Sequence, residues 1–347
     1  MRRLPIYFLI DISESMVGEP IEQVQDGIAT IIKELKTDPF ALETVWISII
    51  GFAGKSKTII PLQDIITFYP PKIPIGSGTS LSNGLNELMD AIDKEVVKTT
   101  LERKGDWKPL VFLFTDGVPT DDTSKAVERW NNDYRKKNNL VIISLGENTN
   151  YNLMGQLTEQ VLQFNNTNAA AYKEFFKWIS NSIKTTSEQI NKTNSEKISL
   201  AKANDKIIES IDLTKKYEVP DENFVVIRGK CSNTNKQYLI KYQKTLRDSH
   251  FYDMKTLVYT LEGAYKIDEK TYKEFSGDTN YSLKISIEAL IGNTSCPYCG
   301  NSYALATCSC GGIHCIAGEG ESTCPWCETT AYYSSSDEDY DINRTLG

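Results

Sequence analysis

Three separated segments carry oxygen donors of the kind that hold a hard divalent cation. Asp11-Ile12-Ser13-Glu14-Ser15 follows the apolar run 6–10 and precedes an amphipathic stretch. Alternate residues of such a turn aim one carboxylate and two hydroxyls at a single point. Gly76-Ser77-Gly78-Thr79-Ser80 sets the Thr79 hydroxyl at a loop tip, and Asp116-Gly117 follows the apolar run 110–115. Carboxylate and hydroxyl oxygens suit Mg²⁺ or Mn²⁺, with Ca²⁺ as the further choice. Mg²⁺ keeps several waters, so two carboxylates and three hydroxyls form a reasonable partial shell. Taken alone, each segment reads as a helix N-cap, since Ser and Asp favour that position. The coincidence of three such segments favours the metal, with Asp11, Ser13, Ser15, Thr79 and Asp116 as the donors.

A second constellation is sulfur-rich. Of the eight cysteines, seven fall between positions 296 and 327: Cys296, Cys299, Cys308, Cys310, Cys315, Cys324 and Cys327, with His314 beside Cys315. Two C-x2-C pairs, C-P-Y-C and C-P-W-C, bracket the group. Such a pair lets two thiolates bite one tetrahedral ion, and two pairs complete a structural zinc site. Eight candidate ligands suit two zinc ions of four ligands each. One zinc on Cys296, Cys299, Cys324 and Cys327 is the alternative. Adjacent His314 and Cys315 diverge, so they would serve different ions. Cys231 has no cysteine near it in sequence and is left out, and His250 reads as a surface or structural histidine.

These residues need elements to position them. Residues 1–190 alternate strand and helix signals. The continuous apolar runs 6–10, 45–52, 110–115 and 140–145 read as strands covered on both faces. A third strand over 58–66 and a short last one over 160–164 complete the set. Helical stripes begin at Ile21, at Leu81 and at Tyr172. The pattern predicts an α/β fold: a doubly wound, mostly parallel sheet with helices on both faces. Ligands bind such sheets beyond the carboxyl ends of the strands, where all three oxygen-bearing segments fall. Residues 191–215 read as a polar, partly helical linker. Residues 216–330 read as a small β-rich zinc-binding domain with a hairpin turning at 232–236. Residues 331–347 read as a disordered acidic tail. Thr120, Asp121 and Asp122 read as caps of the following helix, the stripe from Tyr172 as core packing, and Arg135-Lys136-Lys137 as a solvated helix end.

Composition narrows the function. The net charge is −8 and the pI about 5.1, and no Lys or Arg lies between positions 296 and 327. Phosphate backbones need a basic footprint, so nucleic acid is excluded as a partner. No run approaches the length of a membrane span. The opening run contains Pro5 and leads straight into Asp11, so it reads as a strand, not a secretory signal. The cytoplasm is the expected compartment, and there cysteines read as metal ligands.

The order D-I-S-E-S, G-S-G-T, F-T-D-G resembles the metal-ion-dependent adhesion site of von Willebrand A domains, over residues 1–190. The resemblance implies that the five residues hold the cation, some through water, and that a partner's acidic group fills the open position. The A domain joined to a Cys/His-rich segment, with G-K-C-S-N-T-N-K-Q-Y-L-I-K-Y before it, resembles the TerY proteins of bacterial tellurite-resistance and stress systems. That resemblance implies a C-terminal metal-binding domain with seven cysteines and one histidine. It also implies work beside a protein kinase and a PP2C-type phosphatase, as a scaffold or sensor. The expected function is therefore non-enzymatic, metal-dependent protein binding. A metal-assisted phosphoesterase needs an acid or base near neutrality, yet neither His lies near the oxygen site, and Glu14 points away if Ser13 and Ser15 face the ion. A RING-type ubiquitin ligase needs a further C-x2-C after its central Cys/His pair, which this sequence lacks.

Overall fold

The computed structural model describes residues 2–145, 149–164, 169–193, 200–201, 208–217, 223–248, 255–277, 283–334 and 339–345. His250 and parts of the 191–215 linker lie outside the described residues. The chain divides into two compact units. The first holds residues 1–12, 19–74 and 79–220. The second holds 221–347 together with two short segments of the N-terminal half, Ser13–Gly18 and Ile75–Gly78.

The first unit runs β1 (Leu4–Asp11), α1 (Glu19–Leu35), α2 (Pro39–Thr44), β2 (Val45–Phe52), β3 (Ser56–Asp64), α3 (Leu81–Glu95), β4 (Leu110–Thr115) and α4 (Ser124–Arg129). A π-helical turn, Trp130–Tyr134, continues α4. Then come β5 (Asn139–Ser144), α5 (Tyr151–Leu157), β6 (Val161–Phe164), α6 (Ala169–Thr193) and β7 (Ile208–Ser210). The sheet order is β3-β2-β1-β4-β5-β6-β7. Strands β2, β1, β4, β5 and β6 are parallel, while β3 and β7 pair antiparallel at the two edges. The strand order reverses at β1, between β2 and β4, which creates a crevice beyond their carboxyl ends.

Strand β1 is buried along its whole length, as its unbroken apolar run requires. On one face Tyr7, Leu9, Val111 and Leu113 pack with Leu85 and Leu88 of α3 and with Trp130. On the other, Phe8 stacks on Phe112 and Phe114 on Phe176 of α6. Gly27 of α1 marks the closest approach of α1 to α6, because a Cβ there would lie 2.1 Å from the Phe176 ring. Gly→Ala inside a helix ordinarily gains about 0.5–1 kcal/mol. At this position overpacking dominates, and we expect Gly27→Ala to lose about 1–3 kcal/mol in urea unfolding. A gain in stability would show that α1 and α6 are not in contact there.

The amino end of the sheet is closed by an ion pair. Arg3 Nε and Nη2 donate to Asp106 Oδ1 and Oδ2 at 2.9 and 2.5 Å, and the Val97 backbone N–H adds a third bond to Asp106 Oδ2 at 2.8 Å. Asp106 and its neighbours raise the Arg3 pKa above its ordinary value.

The second unit runs β8 (Phe224–Lys230), β9 (Gln237–Asp248), β10 (Lys255–Lys266), α7 (Glu269–Phe275), β11 (Leu283–Ser286), β12 (Leu290–Ile291), β13 (Tyr303–Thr307), β14 (Ile313–Ile316), β15 (Gly320–Thr323), β16 (Thr330–Tyr333) and β17 (Asp341–Arg344). Six strands form one sheet in the order β12-β10-β9-β8-β14-β13. The predicted hairpin at 232–236 joins β8 to β9.

Two sequence expectations change here. The tail is not wholly disordered: β17 pairs antiparallel with β11, and Ile342 is buried among Val225 and Ile227. One inward apolar residue anchors the strand, while its polar outward neighbours gave the segment its acidic look. The 191–215 segment also contributes to the first unit, since α6 runs to Thr193 and β7 forms a sheet edge. Among the described residues, no helix is long and apolar enough to cross a membrane.

Candidate metal centres

Asp11 ends β1, and Asp116 directly follows β4, its parallel neighbour. Both are buried, at 0% and 7% exposure. The Thr115 hydroxyl donates to Asp11 Oδ2 at 2.8 Å, which holds the β1 carboxylate from the β4 side. Thr79 is buried ahead of Ser80, the N-cap of α3. Its backbone is tied to the loop after β4 in both directions. Thr79 N–H donates to Thr120 Oγ1 at 3.1 Å, and Thr120 N–H to Thr79 O at 2.9 Å. Ser80 N–H reaches Ala53 O, just past β2, at 2.7 Å. Asp121 Oδ2 accepts from Ser80 Oγ at 2.7 Å and from Ser82 N–H at 3.1 Å.

Thr120 and Asp121 therefore do not cap the helix that follows them. They lace the Thr79 loop to the Asp116 loop, and Asp121 serves the start of α3. Asp122 alone acts locally, accepting from the Ser124 N–H and hydroxyl. The sequence signal for this role was the run T-D-D only two residues after the strand-end Asp116-Gly117, which a helix start alone did not need.

Ser13 and Ser15 belong to the 13–18 segment of the second unit. Both are buried, and their hydroxyl oxygens lie 3.0 Å apart. Glu14, between them, is fully buried and engaged elsewhere. The Tyr272 hydroxyl donates to Glu14 Oε1, and the Ser77 hydroxyl donates to Oε2 at 3.0 Å. Burial, then the Glu14 charge, push the Tyr272 hydroxyl well above its ordinary range. Ser77 N–H donates in turn to Ser276 Oγ at 3.1 Å. Sequence reasoning missed Ser77, Tyr272 and Ser276, whose partners lie far away along the chain.

The cysteines gather into two groups of four. Cys231, Cys296, Cys299 and Cys315 form one, and Cys308, Cys310, Cys324 and Cys327 the other; within each, the sulfurs lie within 4.8 Å of one another. The closest pairs are Cys299–Cys315 at 3.6 Å, Cys308–Cys327 at 3.7 Å and Cys310–Cys324 at 3.8 Å. A tetrahedral ion with metal–sulfur bonds of about 2.3 Å needs sulfur–sulfur edges of about 3.8 Å. A disulfide would need about 2.05 Å. The spacing therefore fits four thiolates around a zinc-type ion in each group.

Backbone turns explain the geometry. Cys231, Cys296 and Cys324 each begin the same turn. The cysteine N–H donates five residues ahead (to Lys236, Asn301 and Thr329), and its carbonyl accepts from the N–H four ahead. That fourth residue has positive φ in every case: Asn235 at 59°, Gly300 at 78° and Glu328 at 61°. In the second and third turns the residue three ahead is Cys299 or Cys327; in the first it is Thr234, whose N–H donates to Cys231 Sγ at 3.4 Å. Cys231 thus begins a turn of the same geometry that lacks a second cysteine, and Cys315 on β14 brings the fourth sulfur to its group. Ser232 N–H donates to Cys315 Sγ at 3.3 Å, which holds that sulfur beside the Cys231 turn. In the other group, the Cys310 backbone N–H pulls the Cys308 thiol down to about 6.

His314 lies outside both groups, contrary to the sequence expectation. Its Nε2 pairs with the Tyr333 hydroxyl at 2.8 Å and its Nδ1 lies 3.2 Å from Cys315 O. Successive residues of a strand face opposite ways, so Cys315 turns to the sulfur group and His314 to Tyr333. Burial lowers the histidine's pKa and keeps the ring neutral. The missed signal was arithmetic: eight cysteines fill two tetrads with no histidine. The two groups also differ in access. Cys310 and Cys327 are exposed, whereas Cys231, Cys296 and Cys315 are buried.

The α/β unit, with its buried oxygens past β1 and β4, matches the von Willebrand factor type A domain over residues 6–178. Residues 221–347 match the TerY-C metal binding domain. The chain joins a von Willebrand A domain to a TerY-C metal-binding domain, an architecture consistent with a TerY-like protein. Similar solved structures include proximal thread matrix protein 1 of the mussel byssus, at 14% identity and TM-score 0.39, covering 52% of this chain and 47% of that one. A second structure of that protein, with a zinc-occupied MIDAS motif, shares 15% identity at TM-score 0.36, covering 52% of this chain and 46% of that one. The PilB minor pilin of Streptococcus sanguinis shares 13% identity at TM-score 0.38, covering 53% of this chain and 61% of that one. The matched region spans less than two thirds of each of these proteins.

Proposed function

We propose that this protein is a metal-dependent docking module that captures a carboxylate of a partner protein. Asp11 and Asp116 supply charge for a Mg²⁺-type ion, and Ser13, Ser15 and Thr79 supply hydroxyls. When bound, the cation bridges two negative groups that would otherwise repel. The observation that carries this reading is the engagement of Glu14. It is the only carboxylate between the site's serines, and Tyr272 and Ser77 occupy its two oxygens. A hydrolytic mechanism would want that carboxylate turned toward a water; here it anchors the loop instead.

In the same reading the two cysteine groups hold one zinc each as structural ions, with Cys231 as a ligand and His314 not. The protein works in the cytoplasm of a bacterial tellurite-resistance or stress-signalling system, and the partner is a protein kinase or a PP2C-type phosphatase. Family likeness supports that assignment. The test is a pull-down from a host lysate with wild type and Asp116→Ala, each with Mg²⁺ and with EDTA. The expected result is a partner retained only by wild type with Mg²⁺, with at least tenfold loss otherwise. A partner held equally in EDTA and by Asp116→Ala overturns the proposal.

A further inference from the structure

The two cysteine groups differ in what they close and in how far solvent reaches them. Cys231 directly follows β8 and Cys315 lies on β14, the strand beside it, so the first group pins the six-stranded sheet. Three of its four cysteines are buried and Cys299 is half-buried. The Ser232 N–H and the Asn301 side-chain amide cover Cys315 Sγ further, at 3.3 and 3.5 Å. The second group is built from two turns. Cys308 and Cys310 lie between β13 and β14, and Cys324 and Cys327 between β15 and β16. Strands β15 and β16 make a small sheet of their own. In this group Cys310 and Cys327 are exposed, while Cys308 and Cys324 are buried.

Each exposed cysteine has a buried one as its neighbour. Cys327 Sγ lies 3.7 Å from Cys308 Sγ, and Cys310 Sγ lies 3.8 Å from Cys324 Sγ. An accessible thiolate poised beside a second cysteine is the arrangement of a sulfur that oxidises reversibly. The accessible sulfur meets the oxidant, and the neighbour captures the product as a disulfide before further oxygen adds.

We propose that the second cysteine group is a site of reversible oxidation by hydroperoxides, which turns its four thiolates into two disulfides and releases the ion while the first group keeps its own. This rests on the reading of each group as a zinc site. The Cys327 thiolate attacks one peroxide oxygen; an S–O bond forms, the O–O bond breaks, and hydroxide leaves. The Cys308 thiolate then attacks the sulfenic sulfur of Cys327; the S–S bond forms, the S–O bond breaks, and a second hydroxide leaves. The two sulfurs have lost two electrons and the peroxide has gained them. A second peroxide does the same with Cys310 and Cys324. A disulfide no longer offers the thiolates that zinc needs, so the ion departs as Zn²⁺. Its loss unties the β15–β16 sheet from the turn between β13 and β14. The bond between the Tyr333 hydroxyl and His314 Nε2 keeps the end of β16 beside β14, which holds the sulfurs within reach for reduction and reloading.

The test uses the full chain loaded with zinc and counted by atomic emission, then treated with excess hydrogen peroxide beside a colorimetric zinc chelator. One zinc per chain is expected to leave at least tenfold faster than the other. Peptide mapping after the fast phase is expected to find Cys308–Cys327 and Cys310–Cys324 linked, with the four cysteines of the first group still open to alkylation. Dithiothreitol and fresh zinc are expected to restore the second ion. Cys310→His/Cys327→His leaves a Cys2His2 ligand set and is expected to slow the fast release at least tenfold. If that variant fails to load, the wild-type map decides alone. No release at millimolar peroxide, both ions leaving together, first-group cysteines linked in the fast phase, sulfinic or sulfonic acids in place of disulfides, or a loaded variant that releases zinc at the wild-type rate overturns the proposal. A wild-type chain that holds fewer than two zinc ions overturns the zinc reading and this proposal with it. The count before peroxide is added therefore separates the two failures.

Discussion

Cys231→Ser, purified from zinc-supplemented medium, is expected to carry one zinc or fewer per chain, against two in wild type, while His314→Ala keeps two. The sequence reading had these residues the other way round, so the pair discriminates sharply. Cys231 is fully buried in its group, and its replacement leaves three sulfurs around an ion that binds best with four. Structural zinc contributes on the order of 10–16 kcal/mol of apparent binding free energy to small domains. Losing the first ion should therefore melt the sheet around β8, β9 and β14, and near-UV dichroism of the second unit should collapse. His314→Ala removes a buried ring and its bond to Tyr333, at a cost of about 1–3 kcal/mol. Zinc is measured by atomic emission and unfolding by heat. Two zinc in Cys231→Ser, or a loss in His314→Ala, would return the histidine to the ligand set.

Asp106→Ala is the second large effect. The carboxylate is 3% exposed and paired with Arg3 at 19%, and its loss strands a guanidinium and the Val97 N–H together. Breaking one side of a buried pair costs about 3–5 kcal/mol. We expect a fall of that size in urea unfolding of the first unit. Arg3→Ala/Asp106→Ala should recover part of it, because no charge is then left stranded. A single-mutant loss under 1 kcal/mol would show that the pair is solvated.

The apolar runs made the first unit readable. Residues 6–10 and 110–115 could only be covered strands, and their order placed Asp11 and Asp116 at one sheet edge. Helices α2, α5 and α7 escaped because each spans only six or seven residues, too short for an apolar period to register. The C-x2-C pairs were legible because their spacing is local. Cys231 was not, because its turn lacks a second cysteine and Cys315 comes only after a long stretch of chain. The same holds for Glu14. Its neighbours in sequence are hydroxyls, but its partner is Tyr272, which local spacing cannot show. The roles of Thr120 and Asp121 were misread because cap and cross-loop tie use the same residue types.

The two antiparallel edges of the first sheet bear on how the protein avoids unwanted company. Strand β3 carries Pro61, which lacks a donor, and begins with Lys57 at its exposed second position; β7 is only three residues long. Edges of this kind are poor templates for strand addition, which is how exposed sheets seed aggregation. A growing filament would find little purchase on either side. On the proposed function, selective recruitment is then left to the loops at the strand ends, where loss of the cation would undo it.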